Sequence, residues 1–287
     1  MDFSLSKTRG FSVFSEHTSE EMIRMSSSHK LFFGVLVAKI IFVFLFVGFF
    51  GEERLIWSDS SAYLNIGRNI FSGHGFSSSG GDPLVYTPNT VRTPVYPFLV
   101  GFFDRFVPHG LLVVSLLQAA LAALAIVLIY QLARRFLDDY WAWGIALIAS
   151  FEPLTSAIHI LIAPEIFLLV FALLFLISFL RYLDDQHIAD LLLSALWLGI
   201  ATMIKPVALY LFVVPFLFLI FFSIRDYIFS YVRREKRNSS FWHIIVFLSI
   251  ILLLLLPWEA RNYVTDGIIG VTTDDAANIC GWTLIGV

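Results

Sequence analysis

One cysteine, Cys280, stands in a chain of 287 residues, which excludes an intrachain disulfide and any thiol-rich metal site. Charge is also scarce: Asp, Glu, Lys and Arg make up 14% of the residues, against about 25% in an ordinary soluble domain. The net charge of −3 gives no reason to expect nucleic acid or an acidic polymer as partner. No internal repeat is visible, which weakens a transporter built from inverted halves. No small-residue cleavage motif follows the first apolar run, so that run reads as an uncleaved anchor rather than a signal peptide. What the chain does have is apolar surface. Hydrophobic residues reach 58%, with 30 phenylalanines, and the composition is that of an integral membrane protein.

The fold expected is an all-α membrane protein of about seven transmembrane helices with a long first outer loop. Leu31–Phe50 carries one charge, Lys39, and is long enough to cross a bilayer. Further spans are expected at Leu111–Ala133, Ile158–Leu180, Ile188–Ile204, Val207–Ile224 and Phe241–Pro257. The seventh, Tyr140–Phe151, would reach only roughly 18 Å as a helix, so it either extends past Pro153 with a kink or is partly re-entrant. The loops at Arg134-Arg135, Arg181 and Arg225–Arg237 are basic, while the short opposite connections hold only Lys205, which puts the N-terminus inside. The chain then divides into a cytoplasmic segment 1–30, a membrane module 31–257 with an outer loop 51–110, and an outer tail 258–287.

Within the outer loop, Ala62, Ile66 and Ile70 recur every four residues beside Tyr63 and Phe71. This predicts an interfacial helix opened by Ser58 or Asp59 as N-cap. Ser72–Asp82 is rich in Gly and Ser and is expected to be a mobile loop; its Gly73-His74-Gly75 lacks the rest of any phosphate-loop pattern. A second apolar stripe, Phe98–Phe106, follows the turn at Thr93–Pro97.

Asp59, Arg92, Glu152, His159, Glu165, Lys205, Glu259 and Arg261 all fall at the outer ends of spans. Ionisable groups beside apolar runs mark function by default, although each has an ordinary reading as a cap, a solvated residue or an interfacial anchor. Asp59 alone is most simply an N-cap, and Glu165 after Pro164 a first-turn acid favoured by the helix dipole. Lys205 sits in a tight turn, Arg261 among aromatic neighbours, and His159 reads most simply as a packed polar residue. A divalent cation stays open as an option, since Asp59, Glu165 and His159 could hold one, but no spacing demands it. Carboxylates plus cations at one membrane face suit an amphiphilic phosphate substrate: the acid takes a proton from an attacking hydroxyl, and the cations hold the phosphate as charge grows on it.

The run from Asp59 to Phe76, with its Gly73-His74-Gly75-Phe76 turn, resembles the first outer loop of the GT-C membrane glycosyltransferases. The likeness is to the family 39-like branch, related to protein O-mannosyltransferases and aminoarabinose transferases. Arg92-Thr93-Pro94-Val95-Tyr96-Pro97 resembles that branch's Arg-x-Pro-Gly-Tyr-Pro stretch, with Val95 where glycine is frequent. Ala163-Pro164-Glu165-Ile166-Phe167 is similar to its Thr/Ser-Glu-x-Phe segment, with Pro164 as a departure. Ile204-Lys205-Pro206 stands where Arg-Pro is usual, and Pro257–Tyr263 matches Pro-Trp-x-x-Arg-Asn-Tyr. Five motifs occur in the expected order.

The resemblance implies transfer of a sugar from a polyprenyl- or dolichyl-phosphate donor at the outer face of the cell membrane, with inversion. It makes Asp59 the general base, Glu165 a second active-site acid, and Lys205, Arg261 and Arg92 the donor-phosphate residues. Tyr63, Tyr96 and His159 are candidates for substrate contact, and no cofactor is required. Lys205 in place of arginine offers the phosphate a point charge rather than a planar fork. Members of the branch usually continue beyond a seventh span, so the likeness is to the core module, and two expectations stand side by side: a second membrane subunit that supplies acceptor binding, or a truncated and inactive relative. The alternative reading is a non-catalytic subunit that binds a lipid-phosphate sugar; a secondary transporter ranks last.

Overall fold

A computed structural model describes residues 7–57, 59–79, 85–152, 157–233, 241–267 and 269–273, with side chains described from Ser27 onward and outside 226–233. Nine α-helices occur among the described residues. They are α1 (Lys7–Phe50), α2 (Ser60–Phe71), α3 (Val95–Phe106), α4 (Gly110–Ala133), α5 (Asp139–Phe151), α6 (Glu165–Asp185), α7 (Ile188–Ile204), α8 (Val213–Arg233) and α9 (Phe241–Asp266). Short 3₁₀ turns at Glu52–Leu55 and Pro206–Phe212 and a two-stranded hairpin are the other regular elements among the described residues.

Among the described residues five segments are long and apolar enough to cross a membrane: Ser27–Phe50, Gly110–Ala133, Glu165–Asp185, Pro206–Arg225 and Phe241–Asp266. The apolar helix Ile188–Ile204 is shorter at 17 residues, and α5, with 13, is as short as the sequence implies. These long helices are apolar all round, so burial rather than polarity tells their faces apart. On α1, Leu31, Val35, Lys39 and Val43 form the buried stripe at a spacing of four, while Phe33, Val37 and Ile41 face out. Lys39 therefore points into the bundle, close enough to Glu152 to feel its charge.

Three expected boundaries move. The span expected at Ile158–Leu180 begins only at Glu165 and runs to Asp185, because Pro164 cannot continue a helix from its N-terminal side and serves as the N-cap. The residues before it instead cross the end of the bundle: the Ile162 N–H donates to the Leu55 carbonyl, and Ser115 Oγ and Gln118 Nε2 on α4 bond the carbonyls of Ile160, His159 and Leu161. The last span does not stop at Pro257; α9 carries that proline inside and continues to Asp266, so Trp258–Asp266 is helix rather than tail. In the segment expected to be a mobile loop, Ser77–Ser79 is a strand, β1, paired antiparallel with β2 (Tyr86–Pro88).

The two amphipathic stripes of the long loop form α2 and α3, and these cross with their backbones touching. A Cβ on Gly67 would lie 2.6 Å from the Pro97 carbonyl, and one on Gly101 would lie 2.5 Å from the Gly67 backbone. Only glycine permits that approach. The pair seats on the ends of α1, α4, α6 and α7 through one apolar cluster that includes Val43, Leu55, Tyr63, Tyr96, Val114 and Phe167.

Candidate active site

Asp59 occupies the N-cap position of α2 but does not act as a cap. Its side chain makes no capping bond, Ser60 Oγ accepts from the Trp57 N–H instead, and Ser58 lies outside the described residues. The carboxylate turns to Arg92, with Oδ1 3.1 Å from Nη2; the Asp59 side chain is 65% exposed and that of Arg92 20%. Arg92 also lies over the Tyr63 ring, its Cζ 5.0 Å from the centroid, and Nη1 donates to the Tyr63 hydroxyl at 3.4 Å. The loop that presents Arg92 is fixed by Asn89, whose Oδ1 accepts from the N–H groups of Val91 and Arg92.

A second carboxylate–cation pair lies beside the first. Lys205 Nζ donates to Glu165 Oε1 at 2.7 Å, although 40 residues separate them. The topology makes this pairing natural, since α6 and α7 form an antiparallel hairpin that brings the start of one beside the end of the other. Glu165 is in the first turn of α6, where the helix dipole favours an anion, and Lys205 caps the C-terminus of α7, where it favours a cation. Pro206 follows at once and holds Lys205 extended at φ −149° and ψ 122°. Oε2 of Glu165 is buried and accepts no hydrogen bond among the described residues.

Tyr63 joins the two pairs. Burial pushes its hydroxyl up to about 12, Arg92 opposes the shift, and the carboxylates of Glu165 and Asp59 add to it. All three charges therefore lie within reach of one phenol. Tyr63 packs edge-on against Tyr96 at 5.1 Å between centroids. Burial, with Glu165 and Tyr63 adding to it, also holds the Tyr96 hydroxyl well above its usual value.

The other candidates take different places. Tyr96 is 1% exposed and donates its hydroxyl to Gln118 Oε1 at 2.8 Å, so it braces the site from behind. His159 is fully buried against Phe42, with its backbone carbonyl accepting from Gln118. Both side chains are closed off from solvent. Among the described residues no three His, Cys, Asp or Glu side chains group as metal ligands, so Asp59, Glu165 and His159 do not form such a set.

Arg261 stands in a clasp of its own. Its guanidinium donates to the carbonyls of Phe76 and Asn89 and to Asn262 Oδ1, and lies over the rings of Phe76 and Trp258. Asn262 and Trp258 hold the carbonyls of Gly270 and Val271, while Thr272 and Thr273 bond the backbone at Val91 and Thr90. The Pro-Trp-x-x-Arg-Asn-Tyr stretch thus ties the base of the hairpin, at Phe76 and Asn89, to α9, and through Asn89 it steadies Arg92. Residues that sequence reasoning passed over are Gln118 and Ser115 on α4, and Asn65 and Asn69 on α2, which bond Ser79 and Ser77 of β1. An amide deep in the apolar run Leu111–Ala133 was the available signal for Gln118.

Comparison with curated proteins and with solved structures returns no match. A family model described as dolichyl-phosphate-mannose-protein mannosyltransferase matches residues 91–258, a stretch that takes in Arg92, Tyr96, His159, Glu165 and Lys205 and leaves Asp59, Tyr63 and Arg261 outside it. With more than half of the chain matched and a helical membrane fold of GT-C type, the protein belongs to that family of membrane glycosyltransferases.

Proposed function

We infer that the protein transfers a sugar from a polyprenyl- or dolichyl-phosphate donor to an acceptor hydroxyl at the outer face of the membrane, with inversion. The observation that carries this reading is the juxtaposition of two carboxylate–cation pairs, Asp59–Arg92 and Glu165–Lys205, around Tyr63. In the reaction the acceptor oxygen attacks the anomeric carbon as its proton passes to Asp59. The bond from that carbon to the phosphate oxygen breaks, and the lipid phosphate leaves with the electron pair. Arg92 and Lys205 face the departing phosphate, where fixed positive charge is worth most. In the unliganded chain both are held by carboxylates, so a donor phosphate competes with Asp59 for Arg92 and leaves the acid facing the acceptor.

Glu165 has the complementary task. With Oε1 on Lys205, its unsatisfied Oε2 accepts a hydroxyl from the sugar or the acceptor. Arg261, its guanidinium already engaged, is assigned to holding the loop that presents Arg92 rather than to direct phosphate contact. Asp59→Asn tests the reading in reconstituted membranes supplied with a dolichyl-phosphate sugar. Transfer should fall about 10²–10⁴-fold with unfolding temperature unchanged, since general-base catalysis is worth that much and an exposed ion pair little. Retained transfer would remove Asp59 as the base. Wild-type protein that binds the donor but never turns it over would instead indicate a sugar-lipid-binding subunit.

A further inference from the structure

At the end of the bundle opposite Asp59 and Glu165, α1, α4 and α6 enclose a cavity of about 600 Å³. Arg134, Arg135 and Arg181 line it together with Phe32, Leu124 and Val127. Depth separates the two kinds of residue: Leu124 lies ten positions before Arg134 on α4, roughly 15 Å further into the bundle at the helical rise. The cavity is therefore basic at the membrane boundary and apolar below. A smaller cavity of about 120 Å³ adjoins it and shares Gln131, Arg135 and Arg181.

The charges there are not balanced. Arg134 pairs with Asp139 at 2.8 Å and Arg135 with Asp184 at 2.6 Å, whereas Arg181 is exposed and makes no ion pair or hydrogen bond among the described residues. Arg134 is further fixed over the Tyr130 ring. Two guanidinium groups are thus held in place by their partners, and a third stands ready for an anion. His29, also exposed, lines the same cavity.

We propose that this cavity is a binding site for an anionic phospholipid, with the phosphate at Arg181 and Arg135 and an acyl chain along Phe32, Leu124 and Val127. Size and depth favour a lipid over free phosphate, because an inorganic ion would leave the apolar floor unused. The surplus positive charge favours an anionic headgroup over phosphatidylcholine, whose trimethylammonium would meet the arginines. Basic pockets between helices at a membrane boundary recognise lipids by this combination. The site is separate from the sugar-transfer reading and stands or falls independently of it.

The test is native mass spectrometry of the delipidated full chain titrated with dioleoyl phosphatidylglycerol or dioleoyl phosphatidylcholine. Wild-type protein should retain the phosphatidylglycerol in preference. Arg181→Gln should weaken that retention about tenfold, as expected for one charge-assisted contact, and Arg181→Lys should restore much of it. A photoactivatable phosphatidylglycerol on unmodified protein should label peptides spanning residues 28–32 and 124–135, which keeps the proposal testable if a variant misfolds. Equal retention of both lipids, indifference to Arg181→Gln, labelling elsewhere, or displacement of the lipid by millimolar inorganic phosphate would each overturn it.

Discussion

Gln118→Leu removes the amide that ties the crossing segment to the bundle while nearly preserving side-chain volume. In the native chain this fully buried side chain accepts from the Tyr96 hydroxyl at 2.8 Å and donates to the carbonyls of His159 and Leu161 at 3.0 and 2.6 Å. The substitution strands three polar groups. Each costs about 1–3 kcal/mol when left unsatisfied in a soluble core, but side-chain hydrogen bonds within membrane bundles average only about 0.6 kcal/mol. The expected loss is therefore roughly 2–5 kcal/mol, read as the shift in a reversible unfolding titration in mixed micelles. Ser115→Ala, which removes one bond to the Ile160 carbonyl, should cost about a third as much. Tyr96→Phe combined with Gln118→Leu should cost less than the sum of the single changes, because they break the same bond. Sugar transfer should also fall in Gln118→Leu, since the segment it anchors leads directly into Glu165. A stability change below about 0.5 kcal/mol would mean that these contacts do not hold the segment, and the account of how Glu165 is positioned would be wrong.

Two further outcomes are expected. Gly101→Ala should destabilise the protein by about 1–3 kcal/mol, because its methyl would meet the Gly67 backbone and force α2 from α3; in the same circular-dichroism melt, Gly144→Ala, where the added Cβ meets nothing within 4 Å, should be close to neutral. Tyr63, held up at about 12 by burial, should stay neutral where a free phenol ionises. Its contribution is complete below about pH 10 and is lost as the pH rises through 12. Tyr63→Phe should therefore flatten the fall in stability over that interval and delete one late step from the phenolate absorbance titration.

The loop helices were readable because α2 and α3 have apolar stripes of helical period, and the hairpin was not, because Ser77–Ser79 carries no apolar alternation. Its pairing rests on Asn65 and Asn69 of α2, which bond the Ser79 and Ser77 backbone. Proline misled in two opposite ways. Pro164 starts a helix that apolarity alone would begin near Ile158, whereas Pro257 is absorbed inside α9. The sequence marks Asp59 as a helix cap and the structure puts it at that position; which way its carboxylate turns depends on Arg92, 33 positions further along the chain and brought there by the fold.

By itself the sequence determined the membrane class, the order of the spans and the identity of the charged residues, since hydrophobicity is a property of each residue and its near neighbours. Tertiary structure decided the pairing: Asp59 with Arg92, Glu165 with Lys205, and Arg261 with backbone carbonyls rather than with the other charges. A charged group takes the partner that packing brings within a few ångströms, because Coulomb energy follows separation in space and not place along the chain.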